Sequence, residues 1–171
     1  MKRVALFVGI WVLLAGIAWA EAPQTAKAVL VNAKGEQMGI ARLEEMAKGV
    51  KMALEAEGLP PGTHAIHIHS VGKCDPPDFK SAGGHFNPYG KKHGVKNPDG
   101  AHAGDLPNIV VGPKGKVKIE IVANAVTLGP GPNSLFSAGG TSLVIHAGPD
   151  DDRTDPAGNA GARIACGVIT K

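Results

Sequence analysis

The chain has 171 residues, with 18 basic and 15 acidic side chains, 24 glycines, 13 prolines and two cysteines. Without Lys2 and Arg3, which lie in an export signal, 16 basic residues face 15 acidic ones. The remainder is close to neutral and offers no basic excess for nucleic acid. Cleavage of that signal leaves 151 residues, enough for one domain with a sizeable core and too few for two.

Met1-Lys2-Arg3 is followed by an uncharged run from Val4 to Ala20, and Ala18-Trp19-Ala20 has the small-x-small form of a cleavage site. These features predict a signal over 1–20 and a single exported domain over 21–171, bound for the periplasm or the extracellular space. At 17 residues the run is slightly long for a signal core, so an uncleaved membrane anchor is the alternative. After cleavage no stable membrane association is expected, and no cysteine follows the run to accept a lipid. Trp11 and Trp19 leave with the signal, which predicts an aliphatic core with Phe79, Phe86, Tyr89 and Phe136 as its only large rings.

Segments 26–32 and 116–122 are β-rich, and the second alternates Val117, Ile119 and Ile121 with charged neighbours, the pattern of a half-buried strand. The stretch 42–57 fits both a helical stripe and an alternation of Val50, Met52, Leu54 and Ala56. Lys48-Gly49 in its middle disfavours a helix, and two strands with a turn there are expected. Turn signals at Lys34-Gly35, Pro60-Pro61-Gly62, Gly112-Pro113-Lys114-Gly115 and Gly129-Pro130-Gly131-Pro132 have the spacing of an all-β sandwich or barrel.

The chemistry gathers on histidines. In Ala65-Ile66-His67-Ile68-His69 a strand places both imidazoles on one face and the two isoleucines behind them, while His64 falls on the opposite face. From Ser70 to Asn108 the chain carries seven glycines and five prolines, too irregular for regular elements and too long for an idle connection. Metal binding can order such a loop. Its candidate ligands are His85, His93, His102 and Asp105, three imidazoles and a carboxylate that make a complete tetrahedral zinc set, and His146 at a strand end adds another nitrogen. Cys74 and Cys166 form an even pair in an exported chain, which favours a disulfide over two buried thiols. Such a bridge closes a loop of 92 residues, worth ~4 to 5 kcal/mol in the chain-entropy model.

These pieces resemble the copper/zinc superoxide dismutases. The likeness runs through Ala65-Ile66-His67-Ile68-His69, Gly83-Gly84-His85-Phe86-Asn87-Pro88 and His102-Ala103-Gly104-Asp105-Leu106. It continues over Gly158-Asn159-Ala160-Gly161-Ala162-Arg163-Ile164-Ala165-Cys166-Gly167-Val168-Ile169, similar to that family's disulfide and active-site arginine signature, and covers roughly residues 26–170. The resemblance implies an eight-stranded Greek-key β-sandwich, with copper bound by His67, His69, His85 and His146. It implies zinc bound by His85, His93, His102 and Asp105, with His85 shared between the metals. Asp150 then matches an outer carboxylate linking ligands of the two sites, and His64 matches a structural position.

The activity implied is disproportionation of superoxide to dioxygen and hydrogen peroxide. His85 would exchange a proton during the cycle and Arg163 would attract the anion. Two departures stand out. The segment from His146 to Gly158 is short and acidic, with Asp150, Asp151, Asp152 and Asp155 against Arg153, unlike the longer lysine-containing guidance loop of eukaryotic members. Ala157 also stands where many of those have a channel threonine. Steering is therefore expected from Lys91, Lys92 and Lys96. A copper-binding or copper-delivery protein on the same scaffold is the main alternative, and a zinc hydrolase is disfavoured because the zinc set is closed. Monomer and homodimer both remain open.

Overall fold

The computed structural model describes residues 24–171, so the expected export signal and cleavage site, and the alternative anchor, lie outside the described residues. The elements run in the order β1 (Thr25–Asn32), β2 (Gln37–Glu45), β3 (Val50–Glu57), β4 (Gly62–His64), β5 (Ile66–His69), a 3-10 turn (Lys80–Ala82), β6 (Ile109–Val111), β7 (Lys116–Ala123), β8 (Ser142–His146) and β9 (Arg163–Thr170). Seven strands form one antiparallel sheet in the order β5-β8-β9-β1-β2-β3-β7, and β4 pairs with β6 separately. After β3 the chain crosses to the opposite edge and later returns to lay β7 beside β3, the over-and-back path of a Greek key. No helix among the described residues is long and apolar enough to cross a membrane.

Among the described residues nine strands stand where eight were expected, because the run 62–69 breaks at Ala65. Its first part pairs with β6 and its second with β8. At the break the Ala65 amide donates to the Gly148 carbonyl and the Ala65 carbonyl accepts from His146, which diverts the backbone from one ladder to the other. His64 is buried there, its ring lying 2.8 Å from both the His146 and the Pro60 carbonyl oxygens. It joins none of the histidine groups that include His67 and His69.

The stretch 42–57 is two strands. Met52, Leu54 and Ala56 lie opposite Leu43, Ala41 and Gly39 across β2, and the turn closes through Met46 N–H to the Gly49 carbonyl at 2.9 Å, with Gly49 at a φ of 80°. The helical stripe seen in this segment lost because strand pairing buries the alternating set instead. Leu30, Leu43, Met52, Leu54, Ile66, Ile68, Ile109, Leu135, Leu143 and Ile145 fill the core. Phe79 and Phe86 are buried and Phe136 packs at the core margin, but Tyr89 is 53% exposed and contributes no ring to it.

Most strands alternate between buried and solvated faces, but β5 and β8 are buried along their whole length. Loops cover their second face. The outer edge of β5 is laced to the long loop by Ile68 N–H to the Gly104 carbonyl (2.9 Å) and Phe86 N–H to the Ile68 carbonyl (2.8 Å), and Gly104 N–H to the Phe86 carbonyl (2.8 Å) ties the two loop strands of that contact together. Further along, the Cys74–Cys166 disulfide ties the same loop to β9, beside a cluster in which Phe79 and Ala82 pack on Val144. The expected bridge is thus present, and it fixes the segment that carries Gly83.

Gly104 sits where a Cβ would lie 2.3 Å from the Ile68 carbonyl oxygen. Gly104→Ala should therefore force the loop off β5 and destabilise the metal-free chain by about 1–3 kcal/mol, as measured by urea unfolding; an unchanged midpoint would show that the lacing is slack.

Candidate metal centre

His67 and His69 project from the covered face of β5, opposite the core-facing Ile66 and Ile68, and His146 closes the adjacent strand β8. His85 reaches the same place from the long loop, where its backbone bridges to that of His69. One nitrogen from each of these four rings lies within 4.8 Å of the others.

The free nitrogens identify themselves. Nδ1 of His67 and Nε2 of His69, His85 and His146 are buried and have no hydrogen-bond partner. The opposite nitrogen of each ring is held. His67 Nε2 donates to Asp150 (2.7 Å), His69 Nδ1 to the Gly83 carbonyl (3.0 Å) and His146 Nδ1 to the Gly161 carbonyl (3.2 Å), while His85 Nδ1 lies 2.9 Å from Asp105. A donated proton on one nitrogen leaves a bare lone pair on the other. Four lone pairs thus converge on one point, which is the donor set of an imidazole-loving cation such as copper.

A second set adjoins it. The Nδ1 atoms of His85, His93 and His102 lie 2.9, 3.1 and 3.3 Å from one oxygen of Asp105, and 3.4 Å separates His85 Nδ1 from His102 Nδ1. An ion with ligand bonds of ~2.0–2.1 Å has tetrahedral edges of ~3.3 Å, so these atoms already stand at the spacing that zinc requires. The other Asp105 oxygen accepts from the amides of Gly94 (2.9 Å) and His102 (3.0 Å), which fixes the carboxylate. His85 belongs to both sets, presenting Nε2 to the first and Nδ1 to the second.

Asp150 joins the sets from behind. One of its oxygens accepts from His67 and the other from His93 Nε2 at 2.9 Å. Its backbone is held in turn by Asn108, whose carboxamide accepts from the Asp150 amide (2.8 Å) and donates to the Asp150 carbonyl (2.9 Å). Arg163 starts β9 and donates to the carbonyls of Phe79 and Gly83, both at 2.6 Å, so the same Gly83 oxygen serves Arg163 and His69. It lines a surface depression with Pro77, Asp78, Lys80, Gly161 and Ala162.

Charge follows from burial and pairing. Burial pushes the pKa of His69 down to about 2 and those of His85 and His146 down to about 4, so all three are neutral ligands at ordinary pH. Burial also opposes charge on His93, but its bonds to Asp150 and the nearby Asp105 outweigh it and raise the pKa. For Asp105 and Asp150 burial favours the neutral acid, yet hydrogen bonds from His102 and His85 to the first, and from His67 and His93 to the second, hold both far below the usual carboxylate range.

The histidines and Asp105 read as metal ligands meet here with Asp150, while His64 and the steering lysines stay outside these sets. Lys92 pairs with Asp155 and Lys96 with Asp152, so the acidic segment neutralises two of the three. Lys80, beside Arg163, was not anticipated. Neither were the Gly83 and Gly161 carbonyls, Asn108 or Asp155, whose contacts span 14 to 62 positions and leave no local signal.

The sequence profile of the copper/zinc superoxide dismutase (SODC) family matches residues 37–169. The chain is 60% identical over 142 residues to Cu-Zn superoxide dismutase 1 of Aquifex aeolicus (strain VF5), covering 82% of this chain and 84% of that one. Over 148 residues it is 45% identical to the Cu-Zn superoxide dismutase of Caulobacter vibrioides, covering 85% of both. The crystal structure of a double mutant of a superoxide-dismutase-like protein from Bacillus subtilis superposes with a TM-score of 0.81 at 43% identity, covering 83% of this chain and 95% of that one. The chain belongs to the copper/zinc superoxide dismutase family.

The lowered histidine pKa values have a consequence for the metal-free protein. Unfolding returns His69, His85 and His146 to an ordinary value near 6.5, so the unfolded chain takes up more protons as pH falls below that value. His93, with a raised pKa, works in the opposite sense, since its contribution is full below 6.5 and lost as pH rises. Three outweigh one. The melting temperature should fall between pH 6.5 and 4, by about 2–4 °C for each kcal/mol lost; calorimetry showing a flat or rising value over that range would contradict the burial argument.

Proposed function

We propose that the protein disproportionates superoxide to dioxygen and hydrogen peroxide, with copper held by His67 Nδ1 and by Nε2 of His69, His85 and His146. Zinc would be held by Nδ1 of His85, His93 and His102 and by Asp105. The observation that carries this assignment is the set of four buried, partnerless nitrogens, one of them on a ring whose opposite nitrogen belongs to the second set. When bound, copper supplies one-electron oxidation and reduction, while zinc keeps one charge state.

The chain's own residues do the rest. Asp150 fixes the tautomer of His67 and the direction of His93 together, so the two sets keep one relative placement. His85 Nε2 is the atom at which a proton can be held and passed towards peroxide, because Nδ1 on the same ring stays fixed. Arg163 binds the anion. Two carbonyls anchor its guanidinium in the wall of a depression of about 420 Å³, so little freedom is lost when superoxide arrives. Lys80 adds a positive charge at that rim, though Asp78 pairs with it. A fixed arginine close enough to act on His69 and His146 favours turnover over copper delivery.

Residues 1–20 act as an export signal for the domain 21–171, which works in the periplasm or outside the cell. The Cys74–Cys166 disulfide supports an oxidising compartment.

Mature protein loaded with both metals should remove superoxide, in proportion to its copper content, and lose that activity with cyanide; loaded protein without copper-dependent turnover would leave only a binding role. Arg163→Ala should lower the rate by ~10-fold or more and flatten its dependence on ionic strength while copper stays bound. Unaltered kinetics in pulse radiolysis would remove Arg163 from the mechanism.

A further inference from the structure

His93 is the most constrained residue of the second set, and its constraints come from three separate acids. Its ring is fully buried, with Nδ1 facing Asp105 and Nε2 donating to Asp150. Its backbone lies in an irregular segment that belongs to no strand of the sheet. That backbone is held from across the molecule: the His93 amide donates to Oδ1 of Asp155 at 2.8 Å, and the other Asp155 oxygen accepts from Lys92 at 3.2 Å.

The neighbouring contacts run the same way. Lys96 N–H donates to the Asp152 carbonyl (3.0 Å), Lys96 Nζ to the Asp152 carboxylate (2.6 Å) and Asn97 to the Arg153 carbonyl (3.4 Å). The acidic segment after β8, which could not steer an anion, is docked along the backbone that carries His93. Within this docking, the Lys92–Asp155 pair is solvent-exposed and contributes little. The amide bond to a charged acceptor is the stronger contact, and it acts one peptide away from a ligand ring.

We propose that Asp155 is a positioning residue for zinc: by accepting the His93 amide hydrogen bond it fixes the backbone that aims the His93 ring, and so tightens retention of the ion. This rests on the metal assignment above. Holding a ligand in place before the ion arrives lowers the ordering cost of binding, and outer partners of metal ligands typically change affinity by 10–100-fold.

The test is a zinc competition titration against a chromophoric chelator, on the full mature chain, for wild type, Asp155→Ala, Asp155→Asn and Lys92→Ala. Exchange of the His93 amide is followed by NMR in parallel. Asp155→Ala should bind zinc about 10-fold or more weakly and expose the His93 amide to exchange. Asp155→Asn keeps an acceptor without its charge and should weaken binding by less than Asp155→Ala does, and Lys92→Ala should stay within about twofold of wild type. Wild-type affinity in Asp155→Ala would overturn the proposal, as would a loss in Asp155→Asn as large as in Asp155→Ala; if the alanine variant does not fold, a wild-type His93 amide that exchanges as freely as an exposed amide would overturn it, and one protected in wild type but faster to exchange in Asp155→Asn, with weaker zinc binding, would support it. Failure of the underlying assignment looks different, because wild type itself would then take up no zinc.

Discussion

A buried imidazole nitrogen without a partner costs about 1–3 kcal/mol, and this chain leaves four such nitrogens within a few ångströms of one another. Nothing in the core needs them there. The rest of the architecture either aims those nitrogens or keeps water from them: strand parity sets two, a strand end the third, and a loop laced onto the edge of β5 brings the fourth. The cost of leaving them bare is recovered only when a cation arrives, so folding and metal binding are parts of one equilibrium.

The other nitrogens of these rings explain why the arrangement is rigid. His69 and His146 are held by main-chain carbonyls, His67 by Asp150, and His85 by Asp105. Three of the four holding groups are themselves held. Gly83 lies in the segment tied down by the disulfide and clasped by Arg163, Asp150 is gripped by Asn108, and Asp105 by two amides. A ligand ring can move only if a second element moves with it, and this is how a loop of irregular backbone acts as precisely as a strand.

Much of this was legible in the sequence, for physical reasons that differ between residues. Strand periodicity alone gave the common face of His67 and His69 and set His64 apart, because alternation is a local rule. The loop ligands could be recognised as ligand types, but their convergence depended on resemblance, since His85 meets His69 and Asp105 meets His67 only through the backbone bridges of the folded chain. The carbonyls of Gly83 and Gly161 carry no signature in any sequence. Lys92 and Lys96 read as free cations because their partners, Asp155 and Asp152, are 63 and 56 residues away. Charge counted along a chain says nothing of which charges meet.

The central claim is that one ring, His85, faces two ions. Low-dose anomalous diffraction at the copper and zinc edges, on crystals of the oxidised, fully loaded protein, tests it most directly. The account requires a copper peak against Nε2 of His85 and a zinc peak against Nδ1 of the same ring. A single peak, two ions of one element, or a His85 ring touching only one of them would contradict it.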